Sequence, residues 1–148
     1  DVPFIEISKQ VRAVSGMHVG EVISLYGQEG FRRYEEEAIA SIIENYDKVV
    51  IAIGGGIVET RENYDLLLHH FHTVWIKASA AEHIERVRAQ GDERPMAGFA
   101  AAEEHLANML SQRKAEFNRA DLVIDTGGVP IDYSVAKLTE LISSNAIL

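Results

Sequence analysis

Two spacings of apolar residues alternate along the chain. Continuous apolar runs, typical of strands covered on both faces of a sheet, occur at residues 48–53, 72–79 and 121–126, and a short strand is predicted at 2–7. Apolar residues at helical spacing predict helices between them, at 9–14, 19–26, 31–45, 63–69, 80–89, 100–117 and 132–142. Strands that alternate with helices predict an α/β domain with a mainly parallel sheet.

Helix ends and loops are marked by a few small or polar residues. Gly16 and Gly27 are expected to break helices, and Ser79 is placed to cap the helix that begins at residue 80. The segment QGDERPMAG (90–98) is predicted to be a loop from its Gly, Asp and Pro content.

The amino-acid composition and net charge of the chain exclude several classes of function. With 148 residues, 47% of them hydrophobic, we predict one domain over residues 1–148. No apolar run approaches the roughly 18–20 residues of a membrane span, so no membrane partner is expected. The lack of cysteine excludes disulfides and thiolate chemistry, and it suits a cytoplasmic location. A net charge of −9 argues against direct binding of nucleic acid, except through an attached basic module.

The triple glycine of VVIAIGGGIV (49–58) follows a predicted strand end, where parallel sheets bind their ligands. Bare backbone at Gly54, Gly55 and Gly56 would let amides approach an anion closely. A nucleotide-phosphate loop would need Lys-Ser or Lys-Thr after spaced glycines, whereas the residues IVET (57–60) follow the glycines here. A tight turn without a ligand is the alternative.

Several arginines are candidates for anion binding. Arg32 opens a predicted helix, which is unfavourable for a cation, so an anionic partner such as Glu35 or a ligand carboxylate is expected. A solvated charged face is the alternative for RRYEEE. Arg113 lies among apolar residues of its helix, either beside a partner or snorkelling to solvent. Arg94 is expected to sit in a mobile lid over a pocket, at about residues 90–99, or in an ordinary surface loop.

The histidines point to no metal site or general base. His69, His70 and His72 straddle a helix end and a strand start without a Glu-x-x-His pattern, so we interpret them as surface and packing residues. No serine, histidine and aspartate occur in a recognisable catalytic order. We therefore assign no catalytic residue from the sequence.

Several segments, in their order and spacing, resemble shikimate kinases over essentially the whole chain. They are FIEIS (4–8), GQEGFRRYE (27–35), VVIAIGGGIV (49–58), TVWIKAS (73–79), ERVRAQGDERP (85–95), RKAEFNRA (113–120) and VIDT (123–126). The resemblance implies a three-layer α/β/α fold of the P-loop kinase type with a parallel sheet. It also implies ATP and Mg as cofactors of the complete domain.

The same resemblance implies roles for individual residues. Arg32, Arg113 and the glycines 54–56 would hold the carboxylate of a small organic acid. Arg94 would belong to a lid over the nucleotide, and Arg86 would lie near the adenine. Glu6 would reach the metal only through water.

The sequence departs from the shikimate kinase pattern at two places. Ser8 stands where the family has the aspartate that holds the shikimate hydroxyl, and Arg12 stands where a glutamate is expected. A serine hydroxyl can hydrogen-bond to a ligand but is no general base by itself. No phosphate-binding loop occurs in these residues, and the chain opens inside a strand. We therefore expect the natural protein to continue upstream of Asp1, with a first strand and the loop, and expect no phosphoryl transfer by these residues alone.

The lid sequence RPMAG and the segments VPFIEISK and TVWIKASAAEH resemble more closely a group of benzoyl-CoA-responsive transcriptional regulators. These place a helix-turn-helix domain before a shikimate kinase-like domain. The resemblance predicts a ligand-sensing domain that binds an aromatic CoA thioester such as benzoyl-CoA, with DNA contacted only through the attached domain. An ATP-dependent kinase of shikimate or another small acid is the alternative, and a dimerisation domain is a third. A homodimer is left open.

Overall fold

The structure is a computed structural model that describes residues 2–90, 99–145 and 147. These residues form four strands, six α-helices and one 3₁₀ turn. In chain order the elements are β1 (Phe4–Glu6), α1 (Ile7–Ser15), α2 (Val19–Asn45), β2 (Val50–Ala52), the 3₁₀ turn Gly55–Glu59, α3 (Arg61–His70), β3 (Val74–Lys77), α4 (Ala80–Ala89), α5 (Phe99–Phe117), β4 (Leu122–Asp125) and α6 (Ile131–Ser144). The predicted alternation of strands and helices is confirmed.

The strands pair in parallel, as predicted, but as two separate two-stranded sheets. β1 pairs with β2 from Phe4↔Val50 to Glu6↔Ala52, and β3 pairs with β4 from Val74↔Leu122 to Lys77↔Asp125. The expectation of strands covered on both faces is wrong within the described residues. Val50 is 39% exposed, Ile76 47% and Val123 45%, because a two-stranded sheet leaves each strand with an edge and a flank uncovered.

The chain divides into two compact units, Asp1–Phe71 and His72–Leu148. In the first unit α1 packs against α2 through side chains that are fully buried. Their spacing puts them on one face of each helix, as the apolar period requires. These side chains include Val11, Val22, Ala38, Ile39 and Ile42.

In the second unit the core is formed by side chains of the β3–β4 sheet, of α4 and of the end of α5. Ile84 and Ile124 are 4% and 1% exposed. The Trp75 ring stacks on Phe117 with ring centroids 5.2 Å apart. Among the described residues, no helix is long and apolar enough to cross a bilayer. The cytoplasmic location expected from the sequence stays a prediction.

Gly27 marks a kink where two predicted helices join into one element. Its φ of 68° and ψ of −174° are not helical, and the chain continues as helix on both sides. Only glycine adopts this backbone conformation without strain. The predicted break at Gly27 is therefore confirmed. The second half of α2, which carries Arg32, runs in a different direction from the first half because of this kink.

Candidate functional site

The triple glycine leads from β2 into the 3₁₀ turn, and backbone torsion does not explain it. Gly54 has φ −72° and ψ 148°, values open to any residue, and the glycines with positive φ lie elsewhere. Close approach explains Gly56 instead. A Cβ atom at Gly56 would lie 2.7 Å from Nη2 of Arg32. The bare backbone at Gly56 therefore makes room for a guanidinium group.

Arg32 lies between two carboxylates of unequal exposure. Its Nη1 donates to Oε2 of Glu35 at 2.9 Å, and its Nη2 donates to Oε2 of Glu59 at 3.1 Å. The side chain of Glu35 is 3% exposed, that of Arg32 16% and that of Glu59 51%. The anionic partner expected for Arg32 is confirmed as Glu35, one helical turn along α2. The neighbouring Arg33 is exposed, as expected for a charged helix face.

Asn63 holds the backbone of Arg32 in place. Its side chain is buried in α3, with the residue 1% exposed, and Nδ2 donates to the Arg32 carbonyl oxygen at 2.9 Å. A buried amide needs such a partner, because a polar group without one is costly. The contact ties α3 to α2 at the residue that carries the guanidinium. Sequence analysis missed this role of Asn63, since its partner lies 31 positions away.

Ser8 lies in the first turn of α1 and not at the end of a strand. The helix begins at Ile7, directly after β1 ends at Glu6, so Ser8 is the second residue of the helix. Ser8 lines a shallow pocket of about 430 Å³ together with Glu6, Lys9, Arg12, His18, Val19 and Gly20. Arg32 and the glycines 54–56 are not among the lining residues. A ligand role for Ser8 stays a prediction.

Glu6 is the one residue that the sequence suggested for a metal, through water. Its Oε1 accepts from Nζ of Lys9 at 2.6 Å. Within residues 2–90, 99–145 and 147, no group of three or more His, Cys, Asp or Glu residues could hold a metal ion. Mg²⁺ can be held by one carboxylate together with substrate phosphates. Glu6 therefore fits only a water-mediated contact of that kind.

A second pocket, of about 420 Å³, lies in the second unit and includes Arg86. The Arg86 guanidinium is oriented by Thr126, because Nη1 donates to Oγ1 at 3.1 Å and Nη2 donates to the carbonyl oxygen at 2.9 Å. Thr126 is itself buried, and its hydroxyl donates to the Lys77 carbonyl at 3.0 Å. The pocket is lined by Glu82, Glu85, Arg86, Ala89, Gly128, Val129 and Pro130.

Glu82 connects the start of α4 to the loop after β4, whose residue Gly128 also lines this pocket. Its Oε2 accepts from the amide and hydroxyl of Ser79 at 3.0 and 2.8 Å, which confirms Ser79 as the helix cap. Its Oε1 accepts from the amide of Gly128 at 2.6 Å. Chiefly because of the hydrogen bonds from Ser79, the pKa of Glu82 is lowered to about 2.

Arg113 is not among the residues that line either pocket. Arg113 lies on α5 in the second unit and is partly exposed, whereas Arg32 and the glycines belong to the first unit. Arg94 and most of the predicted lid lie outside the described residues. The roles expected for Arg113 and Arg94 stay predictions.

Known proteins of one kind match the chain. The family model described as shikimate kinase matches residues 1–143. A shikimate kinase of Gloeobacter violaceus is 30% identical over 127 residues, which cover 86% of this chain and 71% of the relative. A shikimate kinase of Bradyrhizobium diazoefficiens is 28% identical over 144 residues, which cover 97% and 69%.

Solved structures of shikimate kinases share the fold. The Acinetobacter baumannii enzyme in complex with shikimate matches with a TM-score of 0.81 at 21% identity, over 99% of this chain and 82% of that one. The Bacteroides thetaiotaomicron enzyme matches with a TM-score of 0.79 at 24% identity, over 96% and 83%. The predicted α/β fold of the P-loop kinase type is thereby confirmed.

These comparisons contradict the predicted regulator function. The family model, the two relatives and the two solved structures are all shikimate kinases. The prediction of a ligand-sensing domain for benzoyl-CoA in a DNA-binding regulator is therefore wrong, and the kinase alternative is favoured. The regulator resemblance rested on a few short segments, whereas the family match covers residues 1–143.

Replacing Gly56 with Ala is expected to displace the Arg32 guanidinium, since the new Cβ would lie 2.7 Å from Nη2. We expect the free energy of unfolding to fall by about 1–3 kcal/mol, because moving the guanidinium breaks its hydrogen bond with the buried Glu35. Gly54→Ala is the matched control, because a Cβ there meets no described atom within 4 Å. Urea unfolding of both variants measures the difference, and equal losses would contradict the close-approach explanation.

Glu82 is expected to make stability depend on pH in the acid range. Its pKa is about 2 in the folded protein against 4.5 for an ordinary glutamate, so between these two pH values the unfolded chain binds a proton that the folded protein does not. Stability should therefore be complete above about pH 4.5 and decline toward pH 2. Glu82→Gln should flatten this part of the profile, whereas Glu85→Gln on the same helix should not. Unfolding curves at each pH decide, and identical profiles for the wild type and Glu82→Gln would refute the assignment.

Proposed function

We propose, because the chain belongs to the shikimate kinase family, that it serves ATP-dependent phosphoryl transfer to a small organic acid, with shikimate as the first candidate. In this proposal Arg32 binds the carboxylate of the acid. The substrate class is supported by the relatives, whose printed names are shikimate kinases, and by one solved structure that contains shikimate.

The observation that carries the proposal is the placement of the Arg32 guanidinium. Glu35 and Glu59 accept hydrogen bonds from its Nη1 and Nη2, and Gly56 leaves room for it, so its position is defined before any ligand arrives. A planar guanidinium binds a carboxylate through two parallel hydrogen bonds, which adds geometric specificity to the charge attraction. Preorganisation of this kind lowers the entropy that binding would otherwise cost.

The pocket of Arg86 suits the base of the nucleotide. Arg86 is held in one orientation by Thr126, and the pocket is also lined by the apolar side chains of Val129 and Pro130. A guanidinium plane stacks favourably on an aromatic ring, and an apolar wall covers the other face. Glu82 supports this wall through the Gly128 amide. We assign the adenine of ATP to this pocket.

ATP with Mg²⁺ supplies the transferable phosphoryl group and neutralises the charge that develops during transfer. Glu6 is the residue that could contact the metal through water. The 148 residues contain no G-x-x-x-x-G-K-[ST] motif, so the proposal assigns them no direct phosphate contact. Arg113 and Arg94 are proposed as further acid and lid residues, respectively, on the resemblance alone.

Ser8 limits how the acceptor hydroxyl is activated. A serine hydroxyl does not take up a proton near neutral pH without a base, so Ser8 would orient an acceptor hydroxyl and not deprotonate it. Phosphoryl transfer through a loose transition state depends mainly on positioning and charge stabilisation. A serine in place of the family's aspartate is therefore compatible with phosphoryl transfer. Related hydroxylated acids should be tested as substrates beside shikimate.

Calorimetric titration with shikimate tests the acid site. Arg32→Lys should weaken binding by roughly tenfold or more, because lysine cannot replace the paired hydrogen bonds of a guanidinium. Arg33→Lys is the matched control on the exposed face of the same helix and should bind as the wild type does. A coupled assay of ADP release in the protein as the cell makes it tests transfer. Shikimate that neither binds nor stimulates ADP release would end the proposal.

A further inference from the structure

We infer that Glu59 is a specificity-determining residue of the acid site, because its carboxylate contacts the Arg32 nitrogen that lies nearest to the glycine run. The inference rests on the proposed function and adds to it. A ligand that forms paired hydrogen bonds with Arg32 competes with Glu59 for Nη2. Glu59 therefore affects the relative affinities of different acids for the site.

The two carboxylates on Arg32 differ in the way this role requires. Glu35 is an i+3 neighbour on α2, its side chain is 3% exposed, and it is fixed to Nη1 at 2.9 Å. Glu59 comes from the end of the 3₁₀ turn, its side chain is 51% exposed, and it meets Nη2 at 3.1 Å. Removing a buried carboxylate from its partner is costly, whereas an exposed one is rehydrated when it leaves. Glu35 thus holds the arginine, and Glu59 can be exchanged.

The position of Gly56 places this exchange at the triple glycine. The nearest atom to a Cβ at Gly56 is Nη2 of Arg32, the same atom that Glu59 contacts. A carboxylate that replaces Glu59 on Nη2 would therefore lie beside the exposed backbone of the glycine run. The short 3₁₀ turn that joins Gly56 to Glu59 keeps the displaced side chain close to the site.

The exchange predicts a preference among acids. A simple carboxylate gains its hydrogen bonds to Arg32 but competes with the Glu59 contact at Nη2, so its net gain is reduced. An acid with hydroxyl groups makes further hydrogen bonds, and the displaced Glu59 carboxylate can accept one of them. A second acidic group on the ligand would instead be repelled by Glu59. The site should therefore favour hydroxylated monocarboxylic acids.

Titration of Glu59→Gln with two acids tests the inference. Shikimate is compared with cyclohexanecarboxylate, which has the same ring size and carboxylate without the hydroxyls. We expect cyclohexanecarboxylate to bind about two- to fivefold more tightly to Glu59→Gln than to the wild type, which is the range of an exposed ion pair. Shikimate should gain less, so the selectivity ratio should fall. The difference should shrink at high salt, because exposed pairs are screened.

Glu62→Gln is the matched control. Glu62 is exposed in the first turn of α3, and its substitution removes the same charge three positions away. A general effect of lost negative charge would appear in both variants, and that result would overturn the inference. An unchanged selectivity ratio in Glu59→Gln would overturn it as well.

Side-chain NMR of Arg32 in the protein without ligand separates this inference from the proposed function. If the Arg32 guanidinium signals differ between the wild type and Glu59→Gln but no acid binds either protein, the contact is real and the proposed acid site fails, and with it the role of Glu59. If shikimate binds the wild type and Glu59→Gln with the same selectivity over cyclohexanecarboxylate, the acid site stands and the inference fails.

Discussion

The ion pair between Arg32 and the buried carboxylate of Glu35 is the constraint around which the first unit is arranged. A carboxylate that is 3% exposed needs a cation at hydrogen-bond distance, and Arg32 provides it at 2.9 Å. The guanidinium then needs space, which Gly56 supplies by having no side chain. Asn63 fixes the backbone behind it. A cation held this rigidly at the end of β2 is suited to bind an acid.

Most elements of the fold could be predicted from the spacing of apolar residues, because burial on one face imposes that spacing. The Ser79 cap and the kink at Gly27 follow from the local chemistry of single residues. The division into two sheets does not follow from the apolar spacing. A strand that pairs with one neighbour and a strand that pairs with two can have the same pattern of apolar residues. The early start of α1, which moves Ser8 away from the strand end, depends on packing against α2.

The candidate site was predictable only where partners are close in sequence. Glu35 lies three positions from Arg32 on one helix, so their pairing could be expected. Glu59 and Asn63 lie 27 and 31 positions from Arg32, and only the fold brings them to it. Function was misjudged for a related reason. A few short segments, VPFIEISK, TVWIKASAAEH and RPMAG among them, indicated a regulator, while the match over residues 1–143 is to shikimate kinases.

A crystal structure of the protein with shikimate bound tests the central claim most directly. The account predicts the shikimate carboxylate at hydrogen-bond distance from Nη2 of Arg32, beside Gly56, with the Arg32–Glu35 pair intact and Glu59 turned away. Shikimate bound elsewhere while Arg32 keeps both of its glutamate partners would contradict the account.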